Sequence, residues 1–141
     1  MADEYRTFDV ALVTPEGPAF EAEARMLIVP GADGEIGVLA RHAPLIATLK
    51  AGSTRVHLND TEILEFATGP GFFQVLQDRA IALVDDAVQA EHIDADRAQR
   101  QLDEAQAELE AIERGDSTAD RWHAEQRLRH AENQLNVAGR L

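Results

Sequence analysis

Five histidines and 26 carboxylates are the groups in this 141-residue chain that could hold a metal or move a proton. Zinc needs its ligands on one face, as H-x-H or H-E-x-x-H supplies. His42, His57, His92, His123 and His130 show neither spacing. His123 and His130 stand seven apart and share a helix face, where solvent accounts for both. Cysteine is absent, which removes disulfides, thiolate metal sites and thiol nucleophiles. No G-x-S-x-G elbow, Walker loop or G-x-G-x-x-G occurs, and "GPG" at 69–71 is a turn. No carboxylate pair is singled out for general acid–base work. The sequence therefore predicts no catalytic residue, no metal site and no enzyme. His42, ahead of Ala43-Pro44, is expected to be a structural or interface residue.

Charge narrows the partners. Twelve arginines and Lys50 face 26 acids, for a net charge of −13. Such a surface disfavours nucleic acid and anionic lipid, and it suits partners that present basic faces. "MLIVP" and "PLIATL" are far too short to span a bilayer, and "MADEYRTFDV" lacks the basic and apolar regions of a secretory signal. A soluble chain, or a soluble part of a larger assembly, is expected.

Up to about residue 88 the chain reads in twos. "TFDVALV", "AFEAEARMLIV", "TRVHLND", "EILEFAT", "FFQVLQD" and "AIALV" are separated by turn signals at "TPEG", Asp33-Gly34, Asn59-Asp60, "GPG" and Asp78-Arg79. Eight or more short strands at this spacing predict an antiparallel β-sandwich or flattened barrel. "GEIGVLARHAPLIATLKAG", residues 34–52, spends glycines, His42 and Pro44 on what reads as a rigid, shaped loop region.

After residue 88 the period changes. Ala98, Leu102, Ala105, Leu109 and Ile112 recur at 4-3-4-3, and Ala124, Leu128, Ala131, Leu135 and Ala138 repeat it. Two amphipathic helices, roughly 92–113 and 118–138, are expected to form an antiparallel hairpin. Gly115 suits the end of the first, and Ser117 with Asp120 reads as the start of the second. The domains are thus 1–88, a β-sandwich, and 89–141, a helical hairpin. Alanine-rich seams bury little area, so the hairpin is marginal alone. The first helix is acidic. The second carries Arg121, Arg127 and Arg129, which can pair within the hairpin or meet an acidic partner.

V-T-P-x-G at 13–17, G-E-x-G at 34–37, H-A-P-L at 42–45, "GFFQV" and I-D-x-x-R-A at 93–98 occur in an order and spacing that resemble the epsilon-subunit family of bacterial-type F-type ATP synthases. The resemblance runs from about residue 7 to 138. It implies a β-sandwich at the foot of the central stalk, touching the gamma subunit and the c ring. It also implies a hairpin that is compact in one state and extended along gamma in another, where it restrains ATP hydrolysis. Such a rotor subunit couples proton or other ion flow to ATP synthesis and performs no bond chemistry. Glu35 is implied to lie in the loop facing the c ring, and His42 near gamma. Arg121, Arg127 and Arg129 would meet an acidic loop on a beta subunit. The implied location is the cytoplasmic side of a bacterial inner membrane, peripheral and reached only through the complex. A bacterial rather than mitochondrial origin is expected, because the related mitochondrial subunit carries a targeting presequence that this N-terminus does not show. The rival from another class is a free-standing β-sandwich binding module with a helical dimerisation tail.

Two features depart from the family. Pro70 replaces the first of a common glycine pair, which stiffens the turn. The second concerns ATP as a regulatory ligand. Some relatives bind it through I-D-x-x-R-A, matched here by Ile93, Asp94, Arg97 and Ala98, together with second-helix arginines. Here His130 and Gln134 occupy those second-helix positions, and Val88 stands where an acid would precede the motif. Loss of charge-assisted phosphate contacts predicts weak nucleotide binding or none, and no resident cofactor. Titration calorimetry should show no Arg97-dependent ATP site tighter than roughly millimolar, or ~4 kcal/mol. Micromolar binding abolished by Arg97→Ala would overturn this.

Overall fold

The computed structural model describes residues 6–139, and the chain divides into two units, Met1–Ala90 and Glu91–Leu141. Among the described residues the first unit holds ten strands. They are β1 (Phe8–Thr14), β2 (Gly17–Ala24), β3 (Met26–Gly31), β4 (Gly34–Leu39) and β5 (Leu45–Leu49), then β6 (Gly52–His57), β7 (Ile63–Thr68), β8 (Gly71–Leu76), β9 (Arg79–Val84) and β10 (Ala87–Gln89). They hydrogen-bond as one sheet in the order β10-β7-β6-β3-β5-β8-β9-β1-β2, with β4 on β3. All pairs are antiparallel except β1 with β9. The sheet folds over at β3–β5, where Gly31 and Leu49 are the only partnered residues. Across the fold, Phe20 of β2 meets Phe66 of β7 with ring centroids 5.1 Å apart. One core results, with Leu12, Leu27, Val29, Val38, Val56, Phe73 and Ala80 at its centre. Two fully buried threonines, Thr54 and Thr68, satisfy each other through hydroxyls 2.9 Å apart.

The run 34–52 is less loop than its glycines predict. It forms β4 and β5, with the corner confined to residues 40–44. Glu35 consequently lies in β4, opposite Pro30, rather than in a loop. Of the glycines in the run only Gly34 has a positive φ, 137°. "AFEAEARMLIV" splits at Arg25 into β2 and β3. The β8–β9 turn centres on Gln77 and Asp78, φ 49° and 57°, one residue earlier than Asp78-Arg79. Two left-handed residues match the twist of a two-residue hairpin. The change of period near residue 88 falls inside β10, whose Gln89 still pairs with Phe66.

In the second unit, α1 (Ala95–Glu113) and α2 (Arg121–Val137) pack through Ala98, Leu102, Ala131 and Leu135, with Leu128 at the margin. Both helices start about three residues later than their periodicity suggests. Residues 90–92 make a 3-10 turn, and Asp94 caps α1 by accepting from Arg97 N at 3.0 Å. Asp120 caps α2, accepting from Trp122 N at 2.9 Å, while Ser117 only closes a local turn with Ala119 N. Those bonds, first the Trp122 N–H and then His123, hold the Asp120 carboxyl below its ordinary range. The cap therefore supports α2 above that range and is lost as pH falls through the depressed value. Gly115, φ 79°, ends α1 as expected.

The "GPG" turn has a tighter purpose than its composition suggests. Gly71 pairs with Val84, and a Cβ at Gly71 would lie 1.9 Å from the Leu83 carbonyl oxygen. Backbone meets backbone, so no side chain can yield. Gly71→Ala should destabilise the sandwich by about 3 kcal/mol, seen as a lower urea midpoint at unchanged slope. An unchanged midpoint would show that β8 and β9 can separate freely.

Candidate functional site

Alternation leaves part of β5, β8 and β9 without cover. Phe73 and Val75 point into the core, so Phe72, Gln74 and Leu76 must point out. Phe72 faces Thr48 of β5 on one side and Leu83 of β9 on the other, and Leu83 lies beside Val13 of β1. In the next row Ile46, Gln74, Ile81 and Ala11 are neighbours. Ile46, Phe72 and Leu83 are 77%, 61% and 53% exposed. Large apolar side chains from three adjacent strands thus form one patch, at a density that marks an interaction surface.

Sequence reasoning passed over this patch, although its signal was present. "PLIATL", "GFFQV" and "AIALV" are nearly continuous apolar runs. Strands of that kind are apolar on both faces, whereas a half-solvated strand alternates. Consecutive phenylalanines cannot both enter one core.

The partner-contact residues expected from the sequence fall at separate places. Glu35 is exposed at the start of β4, and its carboxylate accepts from Arg55 Nη2 at 2.7 Å. His42 lies beyond the other end of β4, in the corner, half-buried, with Nδ1 2.7 Å from the Ala43 carbonyl oxygen. The structure does not bring these two together.

In the hairpin, two of the three arginines are tied to acids. Arg127 bonds Glu108 of α1, and Arg121 lies 3.7 Å from Glu113 and 4.0 Å from Glu125. Arg129 is exposed and makes no ion pair among the described residues. All these pairs are largely solvated and worth ~0–1 kcal/mol each.

Of the nucleotide-motif residues, Asp94 is committed to capping and Ala98 is fully buried in the seam. Arg97 is exposed, while Ile93, His130 and Gln134 are half-buried. Val88 pairs with Ala67 in the sheet. Among the described residues, no three His, Cys, Asp or Glu side chains are grouped to hold a metal ion. These surfaces suit protein docking through an apolar face and through exchangeable ion pairs.

Comparison with known proteins agrees with that organisation. Residues 7–90 match the family model for the ATP synthase delta/epsilon chain, beta-sandwich domain, and residues 91–139 match its long alpha-helix domain. The ATP synthase epsilon chain of Bacillus pumilus is 35% identical over 96% of this chain and 99% of its own length. That of Rubrobacter xylanophilus is also 35% identical, over 99% and 97%. The fold recurs in a chain of the Euglena gracilis mitochondrial ATP synthase, with TM-score 0.77 and 22% identity over 94% of this chain and 81% of that one. It recurs again in the central stalk and c-ring structure of the Tetrahymena thermophila enzyme, with TM-score 0.62 and 13% identity over 96% and 98%. Both domains in their expected order, and relatives matched end to end, show that the chain belongs to the ATP synthase delta/epsilon chain family.

Proposed function

We propose that this chain is the non-catalytic epsilon subunit of a bacterial F-type ATP synthase, a rotor component that couples ion flow to ATP synthesis and restrains ATP hydrolysis. Uncovered apolar residues on β5, β8 and β9 carry this reading, because a folded sheet with a second apolar face is built to be covered. The gamma subunit is the occupant that family membership supports. Glu35, beside the β3–β4 turn, is assigned to the c ring, and His42 to the gamma side. Among the described residues no helix is long and apolar enough to cross a membrane. Association with the cytoplasmic face of the inner membrane is accordingly assigned to the complex. ATP at Ile93, Asp94, Arg97 and Ala98 is not part of the proposal, since the cap and the seam already occupy two of those side chains.

Phe72→Asp with Leu83→Asp should leave the isolated subunit folded, because both side chains already face water. The double variant should fail to join a gamma-containing complex, and gel filtration with gamma would show the loss as at least about a tenfold weaker association. Retained assembly would remove the patch from the interface.

The hairpin supplies the regulatory half. Arg121 and Arg127 sit in weak, solvated pairs, so an acidic loop on a beta subunit can take them over at little cost. Attraction of this kind is screened over ~8 Å at physiological salt, so the restraint should weaken as ionic strength rises. Replacing Arg121, Arg127 and Arg129 with alanine should raise ATP hydrolysis by the assembled complex several-fold, and deleting residues 91–141 should do at least as much. Hydrolysis unchanged in both would leave the hairpin a packing element only.

A further inference from the structure

We propose that Asp78 is a positioning residue for partner docking: it latches the 40–44 corner to the β8–β9 hairpin, so that the corner and the Phe72 patch present one fixed surface. The inference rests on the reading of that patch as the gamma-facing surface. Among the described residues, three other than glycine have a left-handed backbone, Arg41, Gln77 and Asp78, with φ of 66°, 49° and 57°. They meet at one place. The Arg41 N–H donates to Asp78 Oδ1 at 2.5 Å, across 37 positions of the chain. Asp78 is itself fixed, because its carbonyl oxygen accepts from the Asp9 N–H of β1 at 3.0 Å. Phe72 lies on β8 and Leu83 on β9, so this one residue ties the corner to the strands that carry the patch.

A two-residue hairpin needs both of its residues left-handed, and aspartate tolerates that conformation. Arg41 is the unusual member. The corner closes as a four-residue turn, with the His42 N–H donating to the Leu39 carbonyl oxygen at 3.2 Å. Arg41 is the third residue of that turn, where a positive φ favours glycine. Arginine there is strained on its own, and the Asp78 carboxylate offsets this with a charge-assisted bond to its N–H. Arg41, Ala43 and Pro44 are exposed, so fixing the corner adds little to the core. Strain held in place without a gain in packing points to a contact role. The corner is also continuous with the patch. Leu45 and Val75 are the last pair of β5 and β8, and beyond them the chains run on to Pro44 and Leu76, both exposed. Leu76 shares the outward side of β8 with Phe72, and four residues of strand span roughly 13 Å. That is well within the width of an ordinary protein interface, so one partner can cover both. A surface fixed before contact loses less freedom on docking, and the latch supplies that fixity.

Asp78→Gly and Asp78→Asn separate the latch from the hairpin turn. Glycine suits a left-handed position but lacks the acceptor, whereas asparagine suits it and keeps one. In the full chain, exchange of the Arg41 amide followed by NMR should speed up about tenfold or more in Asp78→Gly. In Asp78→Asn it should stay within about threefold of the unsubstituted chain, and the thermal midpoint of both variants should hold. Association with a gamma-containing complex should weaken about tenfold in Asp78→Gly and recover in Asp78→Asn. Undiminished association by Asp78→Gly, or an Arg41 amide whose exchange that variant leaves unchanged, would overturn the positioning role and leave the gamma reading standing. No association by the unsubstituted chain would instead remove the gamma reading, and this inference with it. A lowered thermal midpoint in Asp78→Gly, with association that asparagine does not restore, would make Asp78 a fold-stabilising residue and overturn the role as well.

Discussion

A β-strand sends alternate side chains to opposite faces, and a strand made almost wholly of apolar residues must therefore be covered twice. In β8 this puts Phe73 and Val75 into the core and leaves Phe72 outside with Leu76. Pairing then spreads the condition to β5 and β9, because each outward residue of β8 lies beside an outward residue of its neighbours. The sheet satisfies one face by folding over on itself at Gly31 and Leu49. The other face keeps Ile46, Phe72 and Leu83 exposed. Gly71 makes the arrangement unforgiving, since its backbone lies against that of Leu83, and a displaced β8 would carry Phe72 out of line with Leu83.

The helical unit is governed by the opposite condition. Its seam consists of alanines and a few leucines, so each turn of contact removes little apolar surface from water. Its cross-helix ion pairs are exposed and individually weak. A core of large side chains resists rearrangement because every displaced group leaves a void, but a thin seam leaves almost none. The β unit therefore suits a fixed attachment, and the hairpin suits an element that exchanges partners. Arg127 shows the balance: Glu108 holds it now, and a denser acidic surface can outbid a single carboxylate.

Much of this fold was legible in the residues, and the failures have identifiable causes. Period two and period 3.6 separate the strands from the helices, and Asp94, Asp120 and Gly115 mark helix ends by their own chemistry. The 34–52 run misled because glycines at 34 and 37 read as loop, although a strand tolerates Gly37 where its outward side is open. Ser117 competed with Asp120 for the cap because both are good acceptors, and only the local backbone decides between them. Glu35 and the gamma-side role of His42 came from family resemblance, and nothing in their spacing shows that β4 keeps them apart, with His42 beyond its far end. The Phe72 patch was missed for a different reason. An apolar residue is usually assigned to the core, and only the strict alternation within "GFFQV" shows that one ring must be outside.

Charge placement joins the two units in one scheme. Scattered uniformly, 13 basic side chains among 26 acids would each find a nearby carboxylate and do little more than solubilise the chain. Here Arg55 meets Glu35 beside the β3–β4 turn, Arg121 and Arg127 reach acids in the hairpin, and Arg6, Arg25 and Arg41 gather on one cavity. In the first two places, each cation is matched to acids in exposed pairs that a partner can replace. In the third, Asp60 bonds Arg25, and Arg41 keeps a backbone conformation that favours glycine. Solvation can explain matched pairs at a surface. It does not explain the left-handed backbone of Arg41, which is held instead by the bond from its own N–H to Asp78 Oδ1.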